Sequence, residues 1–141
     1  MKPKSIGIIG GAGPQQDELD DLIHLPRLLA KEIPPFEKPL VFCTSTSTQF
    51  GLHKRFFSCT YPDLQTQGQV DEIIDQILQG IDQKIVLERL EKLLQAQTEK
   101  TVILGCTELS LFTDSLCVPN KLVIDPLEIV AQKMLEKSFL K

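Results

Sequence analysis

Four short β-branched, apolar runs, each ending in small or polar residues and set apart by helix-period segments, constrain this chain most. Ser5–Ile9 runs into Gly10-Gly11-Ala12-Gly13-Pro14, and Leu40–Cys43 into the hydroxyl-rich stretch Thr44–Thr48. Thr101–Leu104 runs into Gly105-Cys106-Thr107-Glu108, and Leu122–Ile124 into Asp125. Short apolar runs bounded by turn residues read as buried strands. Arg55–Cys59 is a weaker strand candidate. Between the runs, Val70, Ile73, Ile74, Ile77 and Leu78 keep helical spacing, and Gly80 is placed to end that helix. Val86, Leu90, Leu93 and Leu94 mark another helix. A last one opens with Asp125 as cap, Pro126 at its first position and Glu128 completing a capping box. Leu19, Leu22, Ile23, Leu29 and Ala30 predict a helix after the glycine turn, which Pro26 must kink or divide. Strands alternating with helices predict an α/β fold: a single doubly wound parallel sheet with helices on both faces. In such a sheet the ligand crevice lies outside the carboxyl ends of the strands. Those ends are the four chemically distinctive stretches just named.

Composition narrows the function classes. The chain has 141 residues, which suits one domain over 1–141, and no linker or repeat divides it. Fifteen basic residues against 19 acidic give a net charge of −4, with no Trp and a single Tyr. A nucleic-acid surface normally shows a basic excess and stacking aromatics, so neither balance favours one. Four Cys and two His, without a CxxC pair, do not form a zinc pattern. No stretch reads as a secretory signal, and no run approaches the ~20 apolar residues that span a bilayer. The expected setting is cytoplasmic, with free thiols.

Two motifs carry chemistry. Gly11 and Gly13 let a backbone turn come close to a ligand, yet the turn lacks a third glycine and a phosphate-binding Lys, so it reads equally as a tight strand-to-helix turn. Cys106 follows a strand and precedes a helical turn, where backbone N–H groups and the helix dipole would favour thiolate. The alternative is a buried, inert thiol. Cys59 and Cys117 read as core or incidental, and His24 and His53 as helix-face or surface residues.

Taken together, three stretches resemble the aspartate/glutamate racemase superfamily: Ile6-Gly-Ile-Ile-Gly-Gly-Ala-Gly-Pro14, Val102-Ile-Leu-Gly-Cys-Thr-Glu-Leu109 and Val123-Ile-Asp-Pro-Leu127. The second is similar to the family's second catalytic cysteine motif in the form of the aspartate racemase branch, with Ser110 where many relatives have Pro. The resemblance implies a cofactor-independent isomerase acting on a small dicarboxylate-type amino acid. Cys106 would be the acid/base thiol, and Thr44, Ser47, Thr107 and Glu108, with Gly11 and Gly13, would surround the substrate. No metal ligand set is implied.

The resemblance also implies that half of the machinery is missing. Family members carry two similar lobes with a catalytic Cys in each, and no first-cysteine motif of the usual form follows the first strand here. Cys43-Thr-Ser-Thr-Ser-Thr-Gln-Phe-Gly51 resembles the threonine-rich loop that opens the second lobe, and the residues downstream continue that pattern without a gap. The chain thus resembles a shortened member with one lobe. On a second alignment, Val41–Ser47 resembles the first cysteine motif, and Cys43 becomes a second catalytic thiol. Racemisation needs a thiolate base on one face of Cα and a thiol acid on the other. With Cys106 alone, the expectation is a catalytically incomplete racemase-like protein. The alternatives are a pseudo-enzyme that binds a small carboxylate or regulates, and a degenerate remnant. A homodimer is also open, since a two-fold axis would set the Cys106 of each subunit across one shared site.

Overall fold

Strand residues alternate between two cores, and this places the candidate site. The computed structural model describes residues 7–9 and 22–139, with side chains over 27–136. Three parallel strands, β3 (Leu40–Phe42), β4 (Thr101–Leu104) and β5 (Leu122–Ile124), lie side by side in that order. Val41 is in register with Ile103, and Val102 with Val123. Because neighbouring residues of a strand point to opposite faces, Leu40, Phe42, Val102 and Leu104 enter one core, and Val41, Cys43, Ile103 and Ile124 the other. With both faces covered, β3 and β4 are apolar almost throughout and wholly buried.

The first core is closed by α3 (Leu64–Leu78) and α4 (Gln83–Gln95), which cross between β3 and β4. Val70, Ile73 and Ile74 from α3 and Val86, Leu90, Leu93 and Leu94 from α4 are buried there, as their spacing predicts. Helix α3 ends in the predicted glycine: Gly80 has φ +75°, and the N–H groups of Gly80 and Ile81 return to the carbonyls of Ile77 and Gln76. The second core is closed by Leu29 of α1 (Leu25–Glu32), by Phe57 and Tyr61, and by Ile129 of α5 (Pro126–Phe139). The architecture is α/β, a parallel sheet with helices on both faces.

Three details differ from the sequence reading. The first strand, β1 (Gly7–Ile9), pairs in parallel with β2 (Leu22–His24) in a two-stranded sheet of its own. Leu22 and Ile23, read as helical, are therefore extended, and α1 begins at Leu25. Pro26 explains this boundary, because a residue without N–H is tolerated in a first helical turn and not deeper. Arg55–Cys59 is not a strand: His53–Arg55 form a 3₁₀ turn, and only Thr60 bridges to Leu40. The Tyr61 hydroxyl accepts the N–H groups of His53 (2.9 Å) and Lys54 (3.3 Å), which holds the segment as a loop. The glycine turn at Gly10–Pro14, including Gly11 and Gly13, lies outside the described residues. No helix among the described residues is long and apolar enough to cross a membrane.

Candidate functional site

Three strands deliver polar residues to one edge of the sheet. Beyond β3, Thr44 caps α2 (Ser45–Gln49), its hydroxyl oxygen accepting the Ser47 N–H at 3.2 Å. Beyond β4, Cys106 caps a second 3₁₀ turn (Thr107–Phe112). Beyond β5, the buried Asp125 caps α5, accepting the Leu127 N–H at 3.0 Å. Asp125 also accepts the hydroxyls of Ser110 (2.7 Å) and Thr113 (2.6 Å), so it ties the Cys106 turn to the end of β5. The helix cap anticipated from sequence thus has a second role in fixing the position of the cysteine turn.

The Cys106 thiol is half-buried and donates to Glu108 Oε2 at 2.7 Å, and Thr107 Oγ1 donates to the same oxygen at 3.2 Å. Burial is the largest cause that raises the thiol pKa, and the Glu108 hydrogen bond and charge add to it, bringing it to about 11. The Glu108 N–H pulls the other way and does not prevail. The same hydrogen bond lowers the Glu108 pKa, so near neutral pH the pair is a thiol facing a carboxylate. The expectation that backbone donors would favour thiolate is therefore reversed by burial and by the carboxylate two residues on.

A cavity of about 450 Å³ opens beside this turn, lined by Ile77, Thr107, Glu108, Ser110, Leu111 and Leu127. Among the described lining residues none carries positive charge. Thr107 and Glu108 both reach this crevice. Thr44 and Ser47 stand at the neighbouring strand end, and their hydroxyls bond each other at 3.2 Å, so the cap engages both.

Cys43 points elsewhere. It is fully buried in the second core, its sulfur lies 3.3 Å from Thr48 Oγ1, and burial raises its pKa. Cys106 instead packs at the margin of the first core. The two thiols therefore pack against different cores, although Cys43 also adds to the rise in the Cys106 pKa. Cys59 is buried, and Cys117 is exposed. Among the described residues, no group of three His, Cys, Asp or Glu side chains is placed to hold a metal.

Three further residues, to which the sequence assigns no role at the site, shape this edge. Gln67 Nε2 donates to the Cys43 carbonyl at 2.7 Å and to Asp71 at 3.1 Å, while Asp71 accepts the N–H of Ser45 at 3.2 Å. Together they hold the hydroxyl-rich loop against α3. The available signal was a polar side chain on an apolar stripe, since Gln67 precedes Val70 and Ile74 by helical steps. His53, read as a surface residue, is buried against Gly105, with Nδ1 unpartnered and its pKa lowered by burial. Nothing in its local sequence marks that position.

No family model matches the sequence, and no curated protein matches it. Solved structures do. Picrophilus torridus aspartate racemase superposes with a TM-score of 0.62 at 20% identity, over 82% of this chain and 52% of its own. A protein from Yersinia pestis described as a candidate Asp/Glu racemase gives 0.59 at 22% identity, over 82% and 55%. An aspartate racemase homologue from Pyrococcus horikoshii gives 0.59 at 24%, over 86% and 58%. The chain therefore has the fold of the aspartate/glutamate racemases, over little more than half the length of the proteins it matches.

Proposed function

We propose that this chain is a catalytically incomplete relative of the racemases, one domain over 1–141 that binds a small amino acid at the strand-end crevice without inverting it. One observation carries this reading: the Cys106 thiol donates to Glu108, which lines the crevice, while Cys43 is fully buried in the second core. Inversion requires abstraction on one face of Cα and delivery on the other. A thiol with a pKa of about 11 can deliver a proton but is a scarce base near neutral pH. The substrate's ammonium group would meet the ionised Glu108, and Thr107 and Ser110 would offer hydroxyl contacts. Cys106 is then a one-sided proton donor at most, and no cofactor enters the scheme.

The test is proton NMR of both enantiomers of aspartate and glutamate with the protein in D2O. Saturation transfer from protein to amino acid is expected, together with persistence of the Cα proton signal and of the starting enantiomer. Inversion of either amino acid would overturn the incomplete-enzyme reading. Absence of any saturation transfer would overturn the amino-acid ligand.

A further inference from the structure

A second concave site lies along the β3 edge, away from Cys106. A cavity of about 570 Å³ there is lined by Lys38, Lys54, Arg55, Phe56, Phe57 and Cys59, among others. It shares no lining residue with the cysteine crevice. The three cations reach it from different places: Lys38 just ahead of β3, and Lys54 and Arg55 from the 3₁₀ turn that Tyr61 fastens. None of the three pairs with a carboxylate among the described residues. In a chain of net charge −4, three such cations around one hollow oppose the general balance. They also converge, because the fields of Lys54 and Lys38 both act on the buried Cys59 thiol.

We propose that this hollow binds a small molecule bearing phosphate. Its volume suits a metabolite-sized ligand. An Arg fork beside Lys point charges matches phosphate oxygens better than it matches any neutral group. The two Phe side chains supply an apolar wall, so the ligand has a charged end and a carbon-rich end. Lys54 Nζ lies 5.1 Å from the centroid of the Tyr61 ring, so a phosphate that draws the ammonium away changes the surroundings of that ring. Tyr61 is the single Tyr of a chain without Trp, so its fluorescence reports on the site.

The test is titration with inorganic pyrophosphate at constant ionic strength, followed by tyrosine fluorescence and calorimetry, with citrate as a comparison of similar charge. Saturable binding of pyrophosphate is expected, with a fluorescence change. Lys54→Ala/Arg55→Ala should weaken it at least roughly tenfold, a loss of about 1.4 kcal/mol. Lys84→Ala, an exposed cation on α4, should leave it unchanged. These are exposed side chains, so the variants keep the fold. Lack of saturation, or an equal loss in Lys84→Ala, would overturn the site. Citrate binding as tightly as pyrophosphate would overturn its assignment to phosphate.

Discussion

Asp125→Ala is expected to destabilise the protein by about 3 kcal/mol, lowering the melting temperature by roughly 10 °C. The carboxylate is 5% exposed and accepts three hydrogen bonds, from Ser110, Thr113 and the Leu127 N–H. Hydrogen bonds to a charged group contribute ~1.5–3 kcal/mol each, and a helix cap ~1 kcal/mol, although such terms do not simply add. Alanine would strand two hydroxyls and free the first turn of α5. Asp125→Asn keeps an acceptor for the cap and should lose about half as much. The larger consequence is local, because Ser110 lines the crevice and its turn begins at Cys106. Chemical denaturation decides the matter. A loss below about 1 kcal/mol for the alanine variant would show that the tie between β5 and the cysteine turn is unimportant.

Gly105→Ala should destabilise by about 2 kcal/mol through overpacking. A β-carbon at Gly105 would stand 3.0 Å from Val41 Cγ1, 3.2 Å from Cys43 Cβ and 3.2 Å from His53 Cε1. Val41 and Cys43 are fully buried and have nowhere to go. The backbone cannot retreat either, since the Gly105 N–H donates to the Phe42 carbonyl at 2.7 Å. Gly68 is the control. It lies inside α3, and a β-carbon there would meet nothing within 4 Å, so Gly68→Ala should stabilise by ~0.5–1 kcal/mol. The same chemical change is thus expected to have opposite signs at two glycines. A neutral Gly105→Ala would mean that the core around Cys43 and His53 is looser than its contacts imply.

The fold was legible where a local signal and the tertiary arrangement agree. The helix stripes of α3 and α4, the Gly80 terminus and the Asp125 cap all rest on periodicity or capping chemistry, and they are found, except that Leu78 at the end of the α3 stripe is exposed. Leu22–His24 misled because an apolar pair next to Pro26 fits a helix face as well as a strand, and only pairing with β1 separates the two. Arg55–Cys59 misled because its aromatic content suggests a strand, whereas a distant hydroxyl, that of Tyr61, closes it into a loop. At the site, Cys106, Thr107 and Glu108 come together because they are consecutive or nearly so at one strand end, which a short motif can encode. Whether Cys43 joins them depends on which face of a pleated strand it occupies, and the apolar run Leu40–Cys43 has no polar alternation to reveal that. His53 and Asp71 enter through contacts between segments that are remote in sequence, which no short motif encodes.

A protonated Cys106 thiol, held in part by Glu108, is what the proposed function requires above all. Alkylation by iodoacetamide, resolved by peptide mass spectrometry across pH, measures this directly because only thiolate reacts. The exposed Cys117 serves as a reference in the same sample. Between about pH 8 and 10 the Cys106 rate should still climb close to tenfold per pH unit, as expected for a pKa of about 11. Glu108→Gln removes a negative charge and a strong acceptor, so the pKa should fall and the rate near pH 8 should rise by roughly threefold to tenfold. A Cys106 rate that levels off below about pH 8, with no response to Glu108→Gln, would reveal a ready thiolate and contradict the one-sided donor.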